Sequence, residues 1–289
     1  MKILNFGSLN LDHVYRVDHF VRPGETMDSI SYSLFCGGKG LNQSIALAHA
    51  GAKVFHAGRV GPDGGPLLAR MCKAGADTSC TSQIEEPTGH AIIQVNKAGE
   101  NCIILYGGAN RKISPADAAK VLRGFSKGDY LLLQNEISST PAIMKIAAER
   151  GLKIFFNPAP MTPAVLKYPL RLVDCFILNE VEGRDISGEK DPRKIISLMT
   201  KRFPKASIVL TLGSKGALFC EKGRVEKAEA VKVKAVDTTA AGDTFIGFFM
   251  VWLAEGKSGA EALNTACKAA AICVTRHGAA DSIPRRSEL

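Results

Sequence analysis

Tyr130-Leu131-Leu132-Leu133 and Lys153-Ile154-Phe155-Phe156 are two short apolar runs, and Pro141 to Arg150 between them reads as a helix. Proline suits the first turn of a helix, where its missing N–H costs no hydrogen bond. Strand, helix and strand in that order form a unit that places both strands parallel in one sheet. Both runs are apolar throughout instead of alternating, as expected for a sheet covered on both faces.

The same alternation extends outward. Strands are expected at Ile3–Phe6, Val54–Ala57, Cys175–Leu178 and Ile208–Leu212. Helices are expected at Gly40–Ala50, Pro66–Ala74, Pro115–Arg123 and Pro192–Arg202, with Ala241–Ala254 and Ala260–Arg276 packing on the sheet near the C-terminus. Two regions interrupt this rhythm. Leu11 to Phe35 has strand-like stretches without a long helix, and His90 to Tyr106 reads as a hairpin turning at Lys97–Glu100. The expected fold is therefore α/β: a doubly wound, mostly parallel sheet with helices on both faces and a small β lid. No linker is visible, so residues 1–289 read as one domain, with the lid drawn from about 11–35 and 88–107.

Composition narrows the function classes. Of 289 residues, 46% are hydrophobic and 22% charged, which is ordinary for a globular protein with a large core. The net charge of +9 admits nucleic acid as a partner, but the cations are scattered, aromatics are sparse and no run of five like charges occurs. No nucleic-acid partner is expected. No stretch of 18 apolar residues exists, so no membrane span is expected. Eight cysteines lack C-x-x-C or zinc spacing, and several sit in apolar runs, which suits free thiols in a reducing, cytoplasmic setting. No G-x-G-x-x-G follows a strand, against a nicotinamide-dependent oxidoreductase. Gly256-Lys257-Ser258 imitates the end of a P-loop but has a helix where the preceding strand should be.

Three stretches carry chemistry. In Asp237-Thr238-Thr239-Ala240-Ala241-Gly242-Asp243-Thr244, small residues run directly into a helix. The first N–H groups of a helix have no internal partner and attract anions, and small side chains let a phosphate reach them. Asp243 would repel that phosphate unless it had a task, such as taking the proton from an attacking hydroxyl. The plain alternative is an Asp complementing the helix dipole. In Cys36-Gly37-Gly38-Lys39-Gly40-Leu41-Asn42, glycines permit close approach of a ligand, while Lys39 and Asn42 offer polyol contacts; a Gly-rich turn is the plain alternative. In Gly7-Ser8-Leu9-Asn10-Leu11-Asp12, Asn10 and Asp12 share one side of an extended segment and suit adjacent hydroxyls, or simply form a polar turn.

In combination the chain resembles the PfkB family of carbohydrate kinases, within it the branch acting on ribose. Both signature regions are present, Gly37-Gly38-Lys39-Gly40 with Asn42 and Asp237 to Thr244. Between and after them lie Gly107-Gly108-Ala109-Asn110, Asn157-Pro158-Ala159-Pro160, Asn179-Glu180-Val181-Glu182, Thr211-Leu212-Gly213-Ser214-Lys215-Gly216 and the tail Arg276 to Pro284. The resemblance implies ATP-dependent phosphorylation of a small-sugar hydroxyl, ribose to ribose 5-phosphate, with Asp243 as base and the backbone of Ala240, Ala241 and Gly242 as anion hole. It implies sugar contacts from Asn10, Asp12, Gly38, Lys39, Asn42, Glu136 and Asp243. It implies ATP contacts from Asn179, Glu182, Thr211, Gly213, Lys215, Gly216, Gly242 and Cys267, with Mg2+ between the phosphates. A potassium site is implied at Asp237, Thr239, Cys273, Arg276, Gly278 and Ser282, and a homodimer through the lid.

Ile246 and Met27-Asp28-Ser29 depart from the family pattern, and the lid carries His13, His19 and Phe20. A kinase of a nucleoside or of another sugar is thus the alternative reading. A non-catalytic sugar sensor is a more distant one, disfavoured because Asp243 and its neighbouring glycine are intact.

Overall fold

A computed structural model describes residues 1–289. The chain opens with β1 (Ile3–Phe6), β2 (Asn10–Arg16) and β3 (Ser31–Gly37), then α1 (Lys39–His49), β4 (Val54–Val60) and α2 (Gly65–Ala74). Three strands follow, β5 (Asp77–Gln83), β6 (Gly89–Val95) and β7 (Asn101–Tyr106). The chain then alternates through α3 (Pro115–Leu122), β8 (Tyr130–Leu133), α4 (Thr140–Glu149), β9 (Lys153–Phe156), β10 (Cys175–Asn179), α5 (Glu180–Ser187), α6 (Pro192–Arg202) and β11 (Ser207–Thr211). It finishes with β12 (Ala217–Glu221), β13 (Arg224–Ala228), α7 (Ala241–Ala254) and α8 (Gly259–Val274).

Nine strands form one sheet in the order β13-β12-β11-β10-β9-β8-β1-β4-β5. From β11 to β5 every pairing is parallel; β12 and β13 add to one edge as an antiparallel hairpin. Successive side chains of a strand point to opposite faces, and the core follows that rule. Leu132, Phe155, Ile177 and Val209 join Leu41, Ile45, Phe248 and Phe249 beneath α1, α2, α7 and α8. Leu131, Leu133, Ile154, Phe156, Phe176 and Leu178 join Ile143, Met144 and Ile195 beneath α3 to α6. Each such buried side chain contributes roughly 1.5–3 kcal/mol by leaving water, which is what holds both helix layers down.

The expected elements are present within one or two residues, except that β4 runs on to Val60. Four elements were not anticipated: β5, β12, β13 and α5. β5 reads Asp-Thr-Ser-Cys-Thr-Ser-Gln and takes its place at a sheet edge, where its polar side chains remain in contact with water. α5 is short but marked at both ends, by a capping box of Asn179 with Glu182 and by Gly188 at φ 82.

A second sheet has the order β3-β2-β6-β7 and occupies the segments expected to form a lid. β2 leaves the end of β1 and β3 returns to the start of α1, so this sheet stands at the C-terminal edge of the parallel strands, where open α/β folds bind ligands. Its outer strands expose Tyr32, Leu34, Phe35, Ile103, Ile104 and Leu105.

Candidate active site

The site is built around the start of α7. Ala240 precedes the helix at φ 60, a left-handed conformation uncommon for a residue with a Cβ. It turns the main chain so that the Ala240, Gly242 and Asp243 N–H groups meet no acceptor of the protein, while Ala241 donates to the Thr238 carbonyl at 3.3 Å. The free donors are therefore Ala240, Gly242 and Asp243, and Ala241 stands outside the trio expected from the sequence. Ala240, Gly242 and Asp243 line a cavity of about 220 Å³ together with Lys39, Asn157, Asn179, Glu182, Thr211 and Thr238. Ile246, noted as a departure from the family pattern, also forms part of its wall.

Asp243 is buried, and α1 holds both its carboxylate oxygens. Asn42 Nδ2 donates to one at 3.1 Å and Gln43 Nε2 to the other at 2.8 Å. Lys39, at the start of the same helix, is raised above its ordinary pKa chiefly by the negative charge of Asp243, against the opposing effect of burial; Glu136 and Glu182 add to the rise. One cation thus faces three carboxylates.

Beside it β2, the Gly-rich turn and Glu136 come together. The Ser8 hydroxyl and the Lys39 N–H, the latter at 3.0 Å, both donate to Glu136, and Gly40 N–H donates to Ser8 Oγ at 3.2 Å. These bonds fold the turn back on β1, and Gly38 accommodates it at φ 94. Asn110 donates to Asn10 Oδ1 at 2.8 Å and pins the Leu9 main chain in both directions, which orients Asn10. Asp12 lies against Gly37, where a Cβ would fall 2.0 Å from its carboxylate. Burial, then the charge of Glu136, pushes Asp12 up to about 6. The residues predicted as sugar contacts, Asn10, Asp12, Gly38, Lys39, Asn42 and Glu136, therefore lie on neighbouring segments, with Asn42 bonded to Asp243 and Lys39 bonded to Glu136.

On the other side, Asn179 Oδ1 accepts from Glu182 N–H at 2.9 Å, while Asn179 N–H and Nδ2 donate to the two Glu182 oxygens, each at 3.0 Å. Burial raises Glu182 above its usual range. Beyond Thr211 opens a second cavity of about 460 Å³, walled by Val231, Val233, Phe245, Cys267, Ala270 and Ala271 and rimmed by Gly213, Ser214 and Gly216. The two cavities share Thr211, Thr238 and Gly242. Lys215 does not line this cavity; its neighbour Ser214 does.

Behind the anion-binding turn, two loops meet. Asp237 accepts from Thr239 N–H at 2.9 Å and from Gly278 N–H at 3.1 Å. Burial works to raise its pKa, but a bond from the Thr239 hydroxyl at 2.6 Å, with these two main-chain bonds, outweighs it and holds the carboxyl below its ordinary value. Cys273 Sγ reaches Ser282 Oγ at 3.1 Å and the Thr239 carbonyl at 3.7 Å. The Arg276 N–H returns to Cys273 O, while its guanidinium turns out to Glu288. The six residues predicted for a cation thus come from the loop before α7, the last turn of α8 and the loop after it, and Asp237 is the one carboxylate among them.

Sequence reasoning missed Ser8, Gln43, Asn157, Thr238 and the apolar wall Val231, Val233 and Phe245. Gln43 adjoins a recognised position, and its polarity inside an otherwise apolar helix face was the available signal. The apolar wall carries no motif.

The comparisons agree with this geometry. Residues 1–286 match the pfkB family carbohydrate kinase model. A ribokinase of Haemophilus influenzae is 38% identical, over 98% of this chain and 95% of its own. The structure of a ribokinase from Cryptococcus neoformans in complex with ADP superposes with a TM-score of 0.88 at 35% identity, covering 99% of this chain and 98% of the other. That of an Arabidopsis thaliana ribokinase with ribose and ATP gives 0.87 at 31% identity, covering 99% and 96%. With both signature motifs facing one cleft and the family model spanning nearly the whole length, this chain belongs to the pfkB family of carbohydrate kinases.

Proposed function

We propose that the protein transfers the γ-phosphoryl group of ATP to a hydroxyl of ribose, giving ribose 5-phosphate. The observation that carries this reading is the first turn of α7, where a buried carboxylate, Asp243, and free N–H groups of Ala240 and Gly242 line one cavity that meets the second at Gly242. A base for the hydroxyl and a cradle for the transferred group are what phosphoryl transfer requires. Relatives that are ribokinases at 38% identity, and a likeness to a ribokinase that holds ribose and ATP, favour ribose as the acceptor.

The sugar lies among Asn10, Asp12, Gly38, Lys39, Asn42 and Glu136. Polar groups that converge there replace the water lost by its hydroxyls. The attacking hydroxyl gives its proton to Asp243 as its oxygen bonds to the γ-phosphorus and the bond to ADP breaks. Lys39 and the free N–H groups offset the negative charge on the transferred group. Adenine occupies the apolar cavity near Cys267, with the phosphates passing Thr211 and Thr238 toward Gly242.

Glu182 and Asn179 face the phosphate cavity, and Glu182, raised by burial, fits a site completed by a divalent cation. Mg2+ bound there would neutralise charge between the β- and γ-phosphates. The loops of Asp237, Thr239, Cys273, Arg276, Gly278 and Ser282 would hold K+, whose charge adds to the field at the anion hole. The small sheet serves as a lid, and its exposed apolar strands pair two copies as a homodimer. The substrate is a free small molecule, with no nucleic-acid or membrane partner, and no helix is long and apolar enough to cross a membrane. We place the enzyme in the cytoplasm.

ADP release from Mg-ATP, measured with potassium across ribose, other pentoses, fructose and nucleosides, tests this reading. Ribose is expected to give the highest kcat/KM; a nucleoside or another sugar ahead of it moves the specificity, and no turnover with any acceptor overturns the assignment.

A further inference from the structure

Beneath α1 the neighbouring strands β1, β4 and β8 carry, or run directly into, buried polar residues. On the sheet face carrying Ile3, Val54 and Leu132, the next positions are Asn5, His56 and Gln134. All three are fully or almost fully buried, as are Gln43 and Ser44 above them on α1. Asn5 and His56 are paired neighbours in the sheet. Buried polar groups are costly unless satisfied, and most of these are paired with one another, His56 Nε2 and Gln134 Oε1 being the exceptions. Gln134 Nε2 donates to Gln43 Oε1 at 2.6 Å and to Asn5 Oδ1 at 2.9 Å. Asn5 Nδ2 donates to the Gly40 carbonyl at 2.7 Å and to Ser44 Oγ at 2.9 Å. Ser44 Oγ meets His56 Nδ1 at 2.8 Å, and burial holds His56 neutral, its pKa pushed down to about 3.

The orientation of this chain is fixed at both ends. The Gly40 carbonyl can only accept, so Asn5 must present its NH2 there and its oxygen to Gln134. Gln134 then presents NH2 to Gln43, whose own NH2 is left for Asp243 Oδ1 at 2.8 Å, with Asn157 Oδ1 at 3.4 Å behind it. An amide that could otherwise flip is locked as a donor.

We infer that Gln43 is a positioning residue for Asp243, aiming the carboxylate at the sugar hydroxyl from beneath, with Gln134 and Asn5 setting its direction. Asn42 holds the other oxygen from the side of the substrate. The inference rests on the reading of Asp243 as the base. Neither Gln43 nor Gln134 lines either cavity, so their loss leaves the ligand contacts in place.

The test is Gln43→Met, which keeps the length and removes the amide, with Gln134→Met beside it. In variants whose melting profiles show a folded protein, kcat is expected to fall about 10- to 100-fold, the scale of a misaimed catalytic group. KM for sugar and for Mg-ATP should stay within about twofold, since ground-state binding is untouched. In an Asp243→Asn background, Gln43→Met should cost less than about twofold more, because the carboxylate it aims is already gone. Unchanged kcat in folded Gln43→Met, or the same loss in both backgrounds, overturns the inference. If Gln43→Met does not fold, Gln134→Met carries the same comparison. Substantial turnover by Asp243→Asn alone would instead sink the reading of Asp243 as base.

Discussion

A Cβ added to Gly247 would lie 2.4 Å from that of Ala46 and under 3 Å from the α1 backbone. Gly247 is one turn beyond Asp243 on α7, and Ala46 is one turn beyond Asn42 on α1. Their close approach is what brings both amides within reach of the carboxylate. Gly247→Ala gains about 1 kcal/mol of helix propensity but overpacks against main-chain atoms, at about 1–3 kcal/mol. A lower melting temperature and a lower kcat are expected together, measured on one preparation. Unchanged values of both would mean that the helices do not set the site.

Asp243→Asn keeps the shape of the side chain and removes its basicity. We expect kcat to fall about 10²- to 10⁴-fold, the range for a general base. Sugar binding by calorimetry should persist, because Asn10, Asp12 and Glu136 are untouched. Turnover near that of the parent would take Asp243 out of this role.

Asp12 predicts a conflict between stability and binding. Its pKa rises on folding from 3.8 to about 6, so between those values the folded state holds a proton that the unfolded state has released. Its contribution to stability is then lost as pH rises through this window. The shift corresponds to at most roughly 3 kcal/mol. Asp12→Asn should raise the melting temperature at pH 7, leave it nearly unchanged near pH 3.5, and weaken sugar binding. KM for the sugar in the parent should climb as pH falls below about 6. A melting temperature unaffected at both pH values would show that the carboxylate is not strained.

The Asp237 loops predict dependence on a monovalent cation. Replacing K+ by Na+ at constant ionic strength should lower kcat while leaving sugar affinity little changed, since the loops adjoin the anion hole and not the sugar contacts. Equal rates in the two salts would remove the cation from the proposal.

The sequence revealed the parallel core because its strands are short, apolar and separated by helices begun with proline. β8 and β9 occupy the residues expected, and the hairpin of β6 and β7 formed around Gly99. β5 escaped because Thr and Ser dominate it, and at an edge little burial is demanded of its side chains. β12 and β13 follow Gly216, where the parallel rhythm ends, and nothing in a parallel pattern foretells an antiparallel hairpin. At the site, residues inside compact motifs were legible: Asp243, Lys39 and Asn42 announce themselves through neighbouring glycines. Asn5, His56 and Gln134 were not, because Asn5 and His56 are isolated polar residues in apolar strands and Gln134 opens the polar stretch that follows β8. Only the register of three strands reveals that they meet.

The hydrogen bond between Gln43 and Asp243 also spans 200 residues of chain. β8 to β11 assemble on β1 in chain order, each next to the last, whereas this contact waits for α7, near the C-terminus. Long-range closure of this kind is slow compared with local helix formation. Recovery of catalysis during refolding should therefore lag behind recovery of helical circular dichroism.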